Sequence, residues 1–254
     1  MKKARFSFSL NPHKIILILA ITSVVNVLLS LIGQYLRFNP NSYNLSNAIQ
    51  EFFLDLFIFK FDVNNESNIP TYFNTLLLFF ASLLAFVLSA VKFDQKDKYR
   101  YEWLTLASLL LVMSLDEAAA IHERFSILLK DLPDIGGFLA YKWVIGGMVV
   151  VAILAAAFLR FFLHFDHRNR LFLFLASTIY LFGALGSEMI SGRYQALYGA
   201  KNFTFALLTT LEESLEWIGI LLLIFFLMKY IEAHITEVKF LPQGASARPP
   251  RIRK

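Results

Sequence analysis

Six long apolar stretches dominate the chain, and short polar or charged segments separate them. A helix needs about 20 predominantly apolar residues to cross the hydrocarbon core of a bilayer. The pattern therefore predicts an all-α integral membrane bundle of six transmembrane helices. The six predicted spans cover residues 15–33, 72–91, 103–121, 143–163, 171–190 and 205–229.

Basic residues are distributed unevenly over the segments between these spans. Alternate segments, counted from the N-terminal one, hold 17 of the 24 Lys and Arg residues, and the remaining segments hold 7. Because cytoplasmic segments carry the excess of Lys and Arg, both termini are predicted to be cytoplasmic. The first apolar run follows Lys2, Lys3, Arg5 and Lys14. It is predicted to be a retained signal anchor, because it is long for a signal peptide and no A-x-A cleavage pattern follows it.

Two segments outside the spans differ from ordinary connections. Residues 47–62 are apolar but carry three acidic side chains near one helical face, which favours an interfacial or re-entrant helix in the first outer loop. Alternation over residues 57–63 leaves a strand as an alternative. Residues 241–254 are basic and Pro-rich and are predicted to form a disordered tail, so that residues 1–240 make up a single transmembrane domain.

Composition narrows the functional classes. The chain is 57% hydrophobic, is 17% charged and contains no Cys. Thiol catalysis, thiolate metal sites and a disulfide scaffold are therefore excluded. The net charge of +5 does not indicate a nucleic-acid partner, because the basic residues flank apolar runs; membrane lipid is the predicted partner. The sequence contains no P-loop, nucleophile elbow or H-E-x-x-H motif, and it leaves the oligomeric state open.

Acidic residues in or beside the predicted spans are the clearest functional signal. Charged side chains within spanning helices are rare, because each is costly unless it is paired, hydrated or neutralised. Seven of the 19 acidic residues lie in or beside three of the runs: Asp116, Glu117, Glu123, Glu188, Glu212, Glu213 and Glu216. The third and fifth helices end, and the sixth begins, on the outer side, so all seven are predicted in or beside the outer half of the membrane.

Nearby cations are too few to neutralise these carboxylates. They are Arg124, Arg193 and, if protonated, His122. The two arginines are predicted to neutralise Glu123 and Glu188 at the rim, which leaves the deeper acids without a basic partner. These acids must be protonated, hydrated or bound to an external cation. A hard divalent cation would satisfy several carboxylates at once, and an added His would also admit zinc or iron. The identity of the metal is open.

This charge balance predicts a metal-dependent membrane enzyme. Its predicted metal ligands are Asp116, Glu117, Glu212 and Glu216. Glu213 or His122 is the predicted acid or base. The metal would activate water or polarise a lipid or polyprenyl substrate in the outer leaflet. Glu66, in the first outer loop, is taken as a control position outside the site.

Two other functions remain open. In a proton- or cation-coupled transporter, Glu213 and Glu216 would be the titrating pair. The sequence has no internal repeat and no span interrupted by Gly or Pro, and this argues against a transporter. In a structural or assembly protein, the acids would hydrogen-bond between helices. Gly183 and Gly186 are predicted to permit close helix packing.

The end of the third run resembles an L-S-x-D-E-x-x-x-I-H-E pattern that recurs in uncharacterised bacterial multi-pass membrane proteins. The matching residues are Ser114, Asp116, Glu117, Ile121, His122 and Glu123. The match covers one helix end, under a tenth of the chain. The resemblance implies a bacterial inner-membrane protein and brings no particular activity with it.

Overall fold

The computed structural model describes residues 11–121, 124 and 136–235. These residues form α-helices with short 3₁₀ and π segments, and no strand occurs among them. The helices are α1 Pro12–Phe38, α2 Ala48–Phe61, α3 Ile69–Asp94, α4 Arg100–Ala119, α5 Trp143–His164, α6 His167–Leu181, α7 Glu188–Tyr198 and α8 Phe203–His234. Single 3₁₀ turns cover Pro40–Ser42 and Gly137–Leu139, and a π-helical segment, Phe182–Ser187, joins α6 to α7.

Asparagine side chains fix the start of four helices. The side-chain oxygens of Asn11, Asn47, Asn68 and Asn202 each accept a hydrogen bond from the backbone N–H three residues further on. These bonds satisfy amides of the first turn that have no partner inside the helix. The polar residues between the apolar runs therefore determine where α1, α2, α3 and α8 begin.

The burial pattern of α1 is the reverse of that in a water-soluble protein. Its buried positions include Ser23, Asn26 and Ser30, whereas Leu17 and Ile18 are 60% and 63% exposed. Small and polar residues facing the bundle and apolar residues facing outward are typical of helices that contact lipid. The pattern agrees with the length and apolarity of the helix.

Among the described residues, five helical stretches are long and apolar enough to cross a membrane, so the chain is a helical membrane protein. They are Pro12–Phe38, Ile69–Asp94, Trp143–His164, His167–Tyr198 and Phe203–His234. The predicted span 103–121 falls on α4, which is less apolar because charged residues lie near both of its ends. α4 packs antiparallel along α3: the Ser82 hydroxyl donates to the Ala107 carbonyl, and the Ser114 hydroxyl donates to the Thr75 carbonyl.

The segment 47–62 is helical, since α2 runs from Ala48 to Phe61. The strand alternative for residues 57–63 is wrong. Gly33 of α1 faces the backbone of Ile58 in α2, and a Cβ there would lie 3.5 Å from the Ile58 Cα atom. The close approach explains why α2 is held against the end of α1. The predicted tail, 241–254, lies outside the described residues.

Aromatic side chains fill the bundle at the end where α3 and α8 finish and α4 begins. Trp103 is 1% exposed, and its ring meets those of Phe161 and Phe165 edge-on, with centroids 5.1 and 6.0 Å away. Tyr230 of α8 lies on the same indole, at 5.2 Å. We call this group the aromatic end. It ties α5, which otherwise makes few contacts with the bundle, to α4 and α8.

Candidate acidic cavity

A cavity of about 240 Å³ lies at the opposite end of the bundle from the aromatic end. Its walls come from α3, α4, α6, α7, α8 and the loop between α2 and α3, and Trp143 also contributes. Seven of its lining residues are acidic: Glu66, Asp116, Glu117, Glu188, Glu212, Glu213 and Glu216. We call it the acidic cavity. The four predicted metal ligands and the predicted base Glu213 therefore lie around one space.

α8 supplies the largest share of these carboxylates. Thr209, Glu212, Glu213 and Glu216 are three or four residues apart and share one face of the helix. The three glutamates are half-buried, and all three line the cavity. The charged groups that act most strongly on them are other acids, including Glu117 and Glu188. Three carboxyl groups thus meet on one helical face.

Neutral polar side chains lie against two of these glutamates. The Ser191 hydroxyl lies 3.4 Å from Glu212 Oε2 and can donate to it. Asn74 of α3 is fully buried, and its amide faces the Glu216 carboxyl group. Neither the amide oxygen nor the amide nitrogen of Asn74 meets strict hydrogen-bond geometry with any described residue. Ser191 and Asn74 thus help to orient the carboxyl groups of Glu212 and Glu216.

Two glycines bring the π segment and α6 against α8. A Cβ on Gly183 would lie 2.9 Å from both Cγ and the backbone nitrogen of Glu216. A Cβ on Gly219 would lie 2.6 Å from Cβ of Tyr180. Real Cβ atoms do not approach other atoms this closely, so both positions require glycine. The prediction of close helix packing at Gly183 is confirmed, and the contact holds Glu216 beside Tyr180.

The π segment Phe182–Ser187 was not foreseen from the sequence. It separates α6 from α7 within one long helical stretch, and Glu188 follows it directly. A π turn inserts an extra residue into the helix and often marks a functional site. Here it changes the face on which Glu188 lies, and Glu188 lines the acidic cavity. The glycine pair in F-G-A-L-G-S is the sequence signal that could have indicated it.

Glu66 was also missed as a candidate. It lies in the loop between α2 and α3 and lines the acidic cavity, so its use as a remote control position is wrong. Asp62 organises this loop: it accepts hydrogen bonds from Arg37, from the Asn65 side chain and from the Asn64 backbone N–H. A single acid in an irregular loop has no periodicity that would reveal its direction.

Tyr141 lies near the cavity, just before α5. Its ring packs on Gly192, where a Cβ would come within 2.9 Å of ring atom Cδ2, and its hydroxyl donates to the Gln195 side chain. Burial, together with the charges of Glu188 and Glu212, raises the pKa of Tyr141 to about 12. The pKa of the Tyr141 phenol therefore depends on the acids of the cavity, although Tyr141 lies outside the spanning helices.

Arg193, one of the predicted rim residues, contacts an aromatic ring. Its guanidinium lies over the ring of Phe138, 4.4 Å from the centroid. Such a cation–π contact stabilises an exposed guanidinium. Arg124 is exposed. His122 and Glu123 lie outside the described residues.

The described part of the chain contains no group of three or more Asp, Glu or His side chains at metal-ligand spacing. The predicted ligands share the cavity without forming a closed coordination shell. A cation would have to draw carboxylates of α4 and α8 toward each other to be bound.

Comparisons with known proteins identify the family and no activity. No curated protein and no solved structure matches the chain. The family model described as a domain of unknown function, DUF8692, matches residues 17–230, a stretch that includes every residue lining the acidic cavity. The chain therefore belongs to the DUF8692 family.

Proposed function

We propose that the protein is a multi-pass inner-membrane enzyme that binds a divalent cation in the acidic cavity and acts on a lipid or polyprenyl substrate. One observation carries the proposal: Glu212, Glu213 and Glu216 lie together in a spanning helix, and the groups acting most strongly on them are further acids. Several carboxyl groups in a site of low dielectric cannot all be charged unless a positive charge joins them. A divalent cation supplies that charge with the hard oxygen ligands it prefers.

The proposed ligands come from two helices. Asp116 and Glu117 are near the end of α4, and Glu212 and Glu216 lie on the facing stripe of α8. A cation between them would lower the pKa of a bound water or polarise an ester or phosphoryl oxygen. Glu213, on the same stripe, is the proposed acid or base, and His122 is the alternative for that role.

Apolar cavities that continue from the site support a lipid-like substrate. A cavity of about 180 Å³ shares Met113 and Tyr180 with the acidic cavity. A further apolar cavity of about 400 Å³, between α4, α5 and α6, shares Ser177 and Leu181 with it. An acyl or polyprenyl chain could follow this route, while its polar end stays beside the carboxylates.

The proposal includes a topology. Both termini are cytoplasmic, α4 crosses the membrane as the third of six spans, α2 lies at the interface, and the acidic cavity opens to the outer side. The chain has no native Cys, so single cysteines can report sidedness directly. Positions 65 and 200 should react with an impermeant thiol reagent from outside, and positions 96 and 167 only after permeabilisation. Reaction of 65 and 200 from the cytoplasm would reverse the orientation.

Cation binding is tested on detergent-purified protein. Elemental analysis should find a bound divalent metal, and chelation should lower the thermal unfolding midpoint, because a ligand bound only by the folded state stabilises it. At a free concentration 100 times Kd, that stabilisation is about 2.7 kcal/mol. The double variant Glu212→Gln with Glu216→Gln should lose the response. The exposed Glu51→Gln should keep it. If neither chelation nor any added metal moves the midpoint, the metal-dependent enzyme is rejected.

A proton- or cation-coupled transporter is the second candidate, and the π segment favours it. Irregular helical geometry beside acidic residues inside a spanning stretch is a feature that transport sites use. Glu213 and Glu216 would be the titrating pair. Gradient-driven flux in proteoliposomes that Glu213→Gln abolishes would support this function over the enzyme.

A further inference from the structure

A second polar pocket, of about 480 Å³, adjoins the acidic cavity and differs from it in charge. It lies between the end of α1, the loop between α2 and α3, and the beginning of α8. Its polar lining consists of Gln34, Arg37, Asp62, Asn64, Asn65 and Lys201, together with Thr209. Asn64 and Thr209 also line the acidic cavity, so the two spaces share a wall.

Arg37 and Lys201 give this pocket an excess of positive charge. Arg37 donates from Nη1 to Asp62 Oδ2 at 3.0 Å. The Asp62 side chain is only 3% exposed, whereas that of Arg37 is 51% exposed, so guanidinium N–H groups beyond the ion pair remain accessible. Lys201 is exposed and forms no hydrogen bond or ion pair with the described residues. Two cations thus face a single carboxylate.

Gln34 adds a further polar side chain to this lining. It is only 3% exposed, and it lines the pocket together with Arg37. Its amide can both donate to and accept from a ligand. The amides of Asn64 and Asn65 lie on the same lining.

We propose that this pocket binds a phosphate-class anion, either the headgroup phosphate of a lipid or free phosphate. An arginine fork, a lysine and side-chain amides are the donors that phosphate oxygens accept. The proposal rests on the proposed function in one respect: a cation in the neighbouring acidic cavity would screen the anion from the carboxylates. The two ligands would therefore strengthen each other's binding, and by linkage the effect must be reciprocal.

The test uses the full chain in detergent and titration calorimetry with two probes, inorganic phosphate and dioctanoyl phosphatidic acid, each with and without Mg²⁺. Lys201→Gln should weaken binding of the probe about tenfold, which corresponds to about 1.4 kcal/mol. The matched control is Lys98→Gln, an exposed lysine at the other end of the bundle, which should leave binding unchanged. Gln34→Met should also weaken binding.

The two probes separate the sources of the anion. Binding of the lipid alone assigns the pocket to a headgroup, and binding of both assigns it to phosphate in general. Binding of neither probe, or equal affinities in the Lys201 and Lys98 variants, overturns the proposal.

The two proposals fail in different ways. Phosphate binding that depends on Lys201 in a protein that binds no divalent cation would reject the metal-dependent enzyme and keep the anion pocket. A cation response without any phosphate binding would reject the pocket alone.

Discussion

The two halves of α8 can be compared directly, because one helix carries both. From Thr209 to Glu216 its inward face is polar and lines the acidic cavity. From Trp217 to Tyr230 its inward face is apolar and closely packed; Trp217 is 0% exposed, and its ring meets that of Phe73 at 5.4 Å. Close packing therefore stabilises the bundle around the second half of α8, whereas the first half of α8 places acidic side chains around a cavity.

Because close packing and the acidic cavity lie at opposite ends of the bundle, the protein can tolerate the unfavourable electrostatics of the cavity. Close-packed side chains lose contacts when a neighbour is removed, whereas residues around an open cavity lose little. Acids that repel one another lower stability, and a functional site can retain them when the remaining structure compensates. Substitutions at the aromatic end should thus change stability, and those in the acidic cavity should change ligand binding.

The largest effect is expected at the aromatic end. Trp103→Ala removes an indole that contacts Phe161, Phe165 and Tyr230, and should lower the free energy of unfolding by about 3–5 kcal/mol. The measurement is denaturant-induced unfolding in detergent. Phe53→Ala is the control, because that ring is 62% exposed, and it should change stability little. Equal losses in the two variants would remove the distinction between the ends.

The next effect concerns the crossing that separates the two halves. Gly219→Ala places a methyl group 2.6 Å from Cβ and 2.7 Å from the backbone nitrogen of Tyr180, and should destabilise by about 1–3 kcal/mol. Gly146→Ala, in α5, meets nothing within 4 Å and should be neutral or slightly stabilising, because alanine favours the helix. The comparison is made by thermal unfolding. A neutral Gly219→Ala would show that the crossing can relax.

The sequence predicted features that depend on the length of apolar runs or on the alternating direction of the spans. Apolar runs predicted the helices and the membrane location, and α2 was predicted as a helix from its apolar length. The alternating direction of the runs predicted that acids of the third, fifth and sixth runs would meet. Asp116, Glu188 and Glu216 do line one cavity.

Features that depend on contacts between distant residues were not predicted. The π segment places Gly183 against Glu216, and a contact between two runs cannot be inferred from either run alone. Glu66 faces the cavity because Asp62 fixes its loop, and Arg193 stacks on Phe138, which is distant in sequence. The position of Gln34 in a pocket could not be predicted either, because a single buried amide inside an apolar run is compatible with ordinary helix packing.

Around the acidic cavity, a single neutral substitution should preserve stability. Without added cation, Glu216→Gln replaces a carboxyl group that lies among other acids by an amide of nearly the same size. The free energy of unfolding should therefore stay within about 1 kcal/mol of its original value. Glu51→Gln, at an exposed position of α2, is the control and should have no effect. A lower midpoint for Glu216→Gln would mean that the carboxylate makes a stabilising contact, which would favour the structural role for the acids.

The smallest expected effect is a change in the pKa of Tyr141, which lies near the acidic cavity and outside the spanning helices. Burial, together with the charges of Glu188 and Glu212, raises the pKa of Tyr141 to about 12. Between pH 10 and 12 the unfolded chain loses this phenolic proton and the folded chain keeps it, so the contribution of Tyr141 to stability falls as the pH rises through this range. Glu212→Gln should lower the pKa of Tyr141 without returning it to 10, because burial remains. Ultraviolet difference titration, with Tyr141→Phe to assign the transition, measures the change. If Glu212→Gln and Glu51→Gln give the same titration curve, the charge of Glu212 does not affect the pKa of Tyr141. The acidic cavity is then better screened than its lining residues indicate.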